Sequence, residues 1–314
     1  MASVTVRLGV ARVIAQLGVA GATALLGVAC VASPAEPHVA PPAQAHPAGE
    51  VAAAPRAESS ASATPDSSPP SAVADTTEPT PQSPPVVESA PRLRELVVAE
   101  HRAALLSVPP GQGRAPVWIA LHGAGDRAED HCAFWTPILG RHAFVLCPRG
   151  TPMTRAPDTG FFFRDHHALG RELQAAVAAL EQAEPRADTR GMVLSGYSQG
   201  GIMGALHAHL HPDQFSRLLL IEGGFAEWDV PTATHFYAGG GKRVAIVCGI
   251  AHCAQGAAKS RHPIAKGGLG VSVSHVHGGG HRFDGRVGAR AVELLPWLVE
   301  DDPRWNPWRS ALAQ

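Results

Sequence analysis

The sequence predicts an α/β protein, a doubly wound and mostly parallel sheet with helices on both faces. Three observations carry that reading. Short apolar runs of strand length recur through the C-terminal two thirds of the 314 residues. Most are apolar without alternation, as strands covered on both faces must be. Helical stripes with one buried face lie between some of them, the pattern of strands joined by crossover helices. The 9 Phe, 6 Trp and 2 Tyr all lie at or beyond Trp118, so the packed core belongs to that part of the chain.

The first segment, residues 1–30, reads as an export signal. Arg7 and Arg12 precede an apolar run rich in Ala, Gly, Val and Leu that ends in small residues at Cys30. A basic region, an apolar stretch and small residues are the layout of a secretory signal. The ending Leu26-Gly27-Val28-Ala29-Cys30 resembles a lipobox, in which the cysteine is lipidated and anchors the protein to a membrane. Gly27 stands where that pattern has Leu; cleavage near Ala32 and retention as a membrane anchor are the alternatives. Residues 31–92 hold 14 Pro, many Ala, Ser and Thr, and no aromatic residue. Such a stretch buries too little apolar surface to offset its ordering entropy and reads as a disordered tether. Residues 93–314, 222 in number, then form the folded domain.

Within that domain the strand-length runs are 117–121, 143–147, 191–195, 217–221, 244–248 and 271–275. The region 95–106 suggests an antiparallel opening hairpin. Leu169, Leu173, Ala176, Val177 and Leu180 form a helical stripe, as do Val287, Ala291, Leu294, Leu295 and Leu298, where Pro296 predicts a kink. Leaving Cys30 aside, four cysteines fall into two local pairs, Cys132 with Cys147 and Cys248 with Cys253. In an exported domain an even set reads as disulfides rather than a metal site. A Cys132–Cys147 link would contribute on the order of 3 kcal/mol. The 26 Lys and Arg against 27 Asp and Glu leave a formal charge of -1, without the basic excess that nucleic-acid binding demands.

Three motifs carry chemistry. Gly196-Tyr197-Ser198-Gln199-Gly200-Gly201 matches G-x-S-x-G, follows a strand and precedes a helix, which is the setting of a nucleophilic serine on a strained turn. A Cβ at Gly196 or Gly200 would meet neighbouring backbone, and Gly204 and Ala205 let the helix lie close to the sheet. Leu121-His122-Gly123-Ala124-Gly125-Asp126 closes an earlier strand. Its glycine-rich turn can aim the N–H of Ala124 at the point the N–H of Gln199 faces, forming an oxyanion hole; His122 reads as a loop-bracing histidine. Gly278-Gly279-Gly280-His281 follows the last strand and puts His281 where a general base belongs. His207 and His211, four residues apart, lack a third ligand and do not read as a metal site.

Taken together, L-H-G-A-G-D, G-Y-S-Q-G-G and G-G-G-H resemble the phospholipase/carboxylesterase branch of the α/β-hydrolases, which includes acyl-protein thioesterases. The resemblance covers about residues 115–300. It implies hydrolysis of carboxylic esters or thioesters through a serine nucleophile, with no cofactor and a small-molecule substrate. It also strengthens the roles given to Ser198, His281, Gln199 and Ala124. The chain departs from that family at the acid. The family's turn after the penultimate strand, G-x-x-D, reads Gly249-Ile250-Ala251-His252, and no Asp or Glu occurs anywhere from 231 to 283. Asp284 lies only three residues beyond His281. Glu222, at the end of the strand after the nucleophile helix, is therefore the leading acid, with Asp229 and Glu227 behind it. Phe161 to Phe163, Trp228, Phe236 and Tyr237 are candidates to wall an apolar site. The rival readings are a non-catalytic binding protein of the envelope and a serine peptidase. A peptidase would be favoured by an added lid or propeller domain, for which 222 residues leave no room.

Overall fold

The computed structural model describes residues 91–312, residue 157 excepted. The expected signal segment with Cys30, and all of the expected tether up to residue 90, lie outside the described residues. The first strand starts at Arg92.

The elements run β1 (Arg92–Leu96), β2 (Ala104–Val108), β3 (Ala115–Leu121), α1 (Ala128–Leu139), β4 (Phe144–Cys147), β5 (Thr151–Pro152), β6 (Phe161–Phe162), α2 (His166–Ala183) and β7 (Ala187–Tyr197). There follow α3 (Gln199–Leu210), β8 (Phe215–Ile221), α4 (Val230–Ala238), β9 (Arg243–Cys248), α5 (Ala251–Lys266), β10 (Gly270–His275), α6 (Gly285–Glu293), α7 (Leu295–Leu298), a 3-10 turn and α8 (Asn306–Leu312). Eight strands form one sheet in the order β1-β2-β4-β3-β7-β8-β9-β10. The expected opening hairpin is present: β1 pairs antiparallel with β2, and β2 antiparallel with β4. All later neighbours in that sheet pair parallel.

Unalternated apolar sequence follows from this position. Every residue of β3, β4 and β8 is buried, because helices cover both faces of the central strands. One apolar layer joins Leu169, Leu173 and Leu180 of α2 to Ile119, Leu194 and Leu220. The other joins Trp118, Trp135, Trp305 and Val287 to Val193 and Val247. The stripe expected to run kinked from 287 to 298 is two helices. Pro296, lacking an N–H, sits in the first turn of α7, after α6 has ended at Glu293. Helix α5 carries no strong apolar signal because its buried stripe is made largely of small residues, Cys253, Ala257, Ser260 and Ile264.

Both cysteine pairs are joined. Cys132–Cys147 ties α1 to β4 with 6.0 Å between Cα atoms, and Cys248–Cys253 ties the end of β9 to the first turn of α5 at 5.5 Å. Among the described residues no helix is long and apolar enough to cross a membrane, and no group of three His, Cys, Asp or Glu could hold a metal ion.

Candidate active site

The C-terminal ends of β3, β7, β8, β9 and β10 meet at one edge of the sheet. At its centre β7 ends in Tyr197, and Ser198 turns the chain directly into α3 with φ 50° and ψ -115°. A side chain at positive φ carries a steric cost of order 1–3 kcal/mol, held in place by the surrounding packing. The glycines make that turn possible. A Cβ on Gly196 would stand 2.7 Å from the Cα of Gly201, and one on Gly200 would stand 2.7 Å from the carbonyl oxygen of Leu121. The serine hydroxyl lies at the N-terminus of α3, where the helix dipole favours negative charge.

His281 and Glu222 complete a line with Ser198. His281 Nε2 lies 2.9 Å from Ser198 Oγ, and His281 Nδ1 lies 3.4 Å from Glu222 Oε2. With the proton on Nδ1, the imidazole donates to the carboxylate and accepts from the serine hydroxyl. The Glu222 side chain is fully buried, whereas the His281 side chain is 45% exposed. Glu222 also has positive φ, at 57°, and its main-chain N–H donates to the carbonyl of Val247. Its second carboxylate oxygen, Oε1, accepts the N–H of Gly249.

The β3 loop stands beside this line. A Cβ on Gly123 would stand 2.8 Å from the Tyr197 ring. The N–H groups on either side of Ala124 are engaged, Gly123 N–H with Asp126 Oδ2 and Gly125 N–H with the carbonyl of Phe161. Asp126 also accepts from His131, and that hydrogen bond holds its carboxyl below the usual carboxylate range, while burial pushes His131 down. His122 is fully buried, with its ring nitrogens 2.8 Å from the carbonyls of Gly123 and Arg149, so it braces the loop. Gln199, first residue of α3, has a main-chain N–H with no partner inside the helix. Its side chain accepts the N–H of Phe163 at 2.9 Å, tying the helix start to the segment after β6.

The other candidates lie elsewhere. Asp229 caps α4 by accepting the N–H of Thr232, Glu227 is half-buried with its carboxyl pushed up by burial, and Asp284 pairs with Arg282. His252 is not in an open turn; it sits in the first turn of α5, with its ring 6.0 Å from that of Phe225. The aromatic wall is corrected in part. Trp228 and Phe236 are buried in the core, Trp228 donating to the carbonyl of Gly224, while Phe236 and the exposed Tyr237 belong to α4. Aromatic content alone does not distinguish a site wall from a core.

Two contacts at this edge were not read from the sequence. The Tyr197 hydroxyl donates to the main-chain carbonyl of His281 at 2.9 Å, joining the residue before the serine to the histidine loop. Burial pushes that phenol up to about 12, so it stays a donor. The second is the Gly249 N–H. The motifs contain Tyr197, but nothing local marks a partner 84 residues away.

No family model and no curated protein matches the chain. Solved structures do. The chain superposes on dienelactone hydrolase from Anabaena variabilis with a TM-score of 0.50 at 12% identity, over 68% of this chain and 98% of that one. A lipase in its open form matches with a TM-score of 0.50 at 14% identity, over 67% and 98%. Acylaminoacyl peptidase bound to a peptidyl chloromethyl ketone gives 0.50 at 15% identity, over 67% of this chain and 41% of the peptidase. The chain thus spans about two fifths of that peptidase's length. With its mostly parallel sheet covered by helices on both faces, the chain has the α/β-hydrolase fold.

Proposed function

We propose that this chain is an exported serine hydrolase that cleaves carboxylic esters or thioesters, of the phospholipase/carboxylesterase kind its motifs resemble. The observation that carries the reading is the line from the strained Ser198, through His281 at 2.9 Å, to the fully buried Glu222. In this reading Ser198 Oγ attacks the acyl carbon while His281 takes its proton. The negative charge on Glu222 stabilises the resulting imidazolium. The N–H groups of Ala124 and Gln199 receive the oxyanion, each contributing roughly 3–4 kcal/mol. His281 then protonates the leaving alcohol or thiol, and water, deprotonated by the same ring, releases the acid. Two disulfides suit an oxidising compartment, in keeping with the export signal and a lipid anchor at Cys30.

The test is turnover of p-nitrophenyl esters of graded acyl length, with Ser198→Ala as its control. The variant should lose about 10⁴-fold or more in kcat while keeping its melting temperature. Turnover retained by Ser198→Ala would overturn the assignment.

A further inference from the structure

We propose that the Cys248–Cys253 disulfide positions the Glu222 carboxylate through the Gly249 peptide it brackets, so that breaking this disulfide slows turnover. The inference rests on Ser198, His281 and Glu222 acting as the hydrolytic triad.

Glu222 is a carboxylate with no exposed side-chain surface, and its two oxygens face different groups. Oε2 faces His281, and Oε1 accepts the N–H of Gly249. A buried carboxylate oxygen without a donor is costly, so this N–H decides where the carboxylate rests. The donor has little freedom. Cys248, just before it, is the last residue of β9, registered against His275, with its carbonyl accepting the N–H of Val276 at 2.7 Å. Ile250, just after it, caps α5, and Cys253 lies in the first turn of that helix. The disulfide closes this short segment, and both cysteines are buried. The disulfide adds a second covalent link between the strand end and the helix start.

The same peptide also borders the base. A Cβ on Gly249 would run into the carbonyl of Gly280, the residue before His281, and would stand 3.0 Å from Glu222 Oε1. Gly249 is thus wedged between the acid and the histidine loop, and a shift there changes the His281–Glu222 contact from both sides. The Cys132–Cys147 disulfide has no such position, since it lies in the apolar layer with Trp118 and Trp135. Gly249 and its disulfide are positioning elements that act through Glu222.

The experiment is a cycle in the full exported protein with p-nitrophenyl acetate, assayed well below each variant's melting temperature. Cys248→Ala/Cys253→Ala should lower kcat about tenfold, the equivalent of one hydrogen bond to a charged acceptor, and leave KM within about twofold. In a Glu222→Gln background the same pair of changes should alter kcat by less than about twofold, because the group it positions has already lost its charge. Cys132→Ala/Cys147→Ala should lower the melting temperature and leave kcat unchanged. An equal loss in both backgrounds, or no loss in the wild type, would overturn the inference.

If the alanine pair fails to fold, the native protein is treated with a water-soluble phosphine. The disulfide gains two electrons and two protons as thiols, while the phosphine takes its oxygen from water and becomes the oxide. Loss of kcat should track alkylation of Cys248 and Cys253 rather than Cys132 and Cys147. Full kcat with both Cys248 and Cys253 alkylated would overturn the inference. A wild-type protein with both disulfides intact and no turnover would overturn the triad reading and this inference together, an outcome distinct from turnover that ignores the disulfide.

Discussion

The two edges of the sheet are built on opposite terms. At the C-terminal edge the backbone is strained: Ser198 and Glu222 have φ of 50° and 57°, and among the described residues Glu100 is the one other non-glycine with positive φ. Ser198, His281 and Glu222 line up there, beside ion pairs such as Arg149 with Glu129 at 2.6 Å. The N-terminal edge is relaxed and crowded with charge. Arg217, near the start of β8, is buried and reaches Asp301 at 2.7 Å and Asp302 at 3.3 Å. Arg304 pairs with Asp302 at 2.6 Å, and Arg190 holds the carboxyl of Asp188 below its usual range through hydrogen bonds. Those charges neutralise one another and fasten the C-terminal segment to the strand starts. The lesson is that backbone strain at polar side chains marks the candidate reacting edge, while the charge network at the other edge holds the C-terminal segment in place. Changes at the first should appear in kcat, and changes at the second in stability.

After Ser198→Ala, the largest effect should come from Glu222→Gln, which keeps the shape and removes the charge beside His281. Steady-state kinetics should show kcat falling roughly 10²- to 10⁴-fold with little change in KM. A fall of less than about threefold would break the contrast between the two edges at its strongest point, and a dyad of Ser198 and His281 would replace the triad.

A second effect lies along α3, whose far end buries His207 and His209. Burial lowers both from 6.5 to about 4. Unfolded chains bind protons at these histidines below about pH 6.5 and the folded protein does not until about pH 4, so stability is full above the first value and falls through the window. The loss by pH 4 should reach a few kcal/mol. Thermal melts of His207→Gln/His209→Gln should show a flatter decline between those pH values than the wild type; an unchanged slope would contradict the burial argument.

At the holding edge, Arg217→Met removes a buried partner of Asp302 while keeping the apolar stem. Urea unfolding should record a loss of about 1–2 kcal/mol, since Asp302 loses one of its two arginine partners and keeps Arg304. The kcat measured on folded protein should stay within about twofold. A large loss in kcat would show that the edges are coupled. The smallest effect should be that of Tyr197→Phe, which deletes one hydroxyl and with it the bond to the His281 carbonyl. Its kcat should fall about three- to tenfold. An unchanged kcat would leave the histidine loop held by packing, with the Phe283 ring 5.5 Å from that of Tyr197 and 3.8 Å from that of His131.

How legible the molecule was depends on how local each signal is. Ser198 and His281 are framed by adjacent glycines, so short motifs place them in a strand-to-helix turn and a glycine loop. Glu222 was reached by elimination, because 231–283 contains no carboxylate and the order Ser198, Glu222, His281 fits the fold. Its positive φ is not written in the residue type, since Glu is a poor choice for that conformation. The Gly249 N–H is a main-chain donor 27 residues from its acceptor, and no side-chain pattern reveals such a contact. Strands were legible from apolar runs, whereas α5 was hidden by its small buried residues and Trp228 and Phe236 gave no sign of facing the core.

The most direct measurement is mass spectrometry of the protein after reaction with a fluorophosphonate, a probe that phosphonylates activated hydroxyl nucleophiles. The account predicts a single adduct on the peptide containing Ser198, formed fast in the wild type and far more slowly in Glu222→Gln. No adduct, or an adduct on a serine other than Ser198, would contradict it.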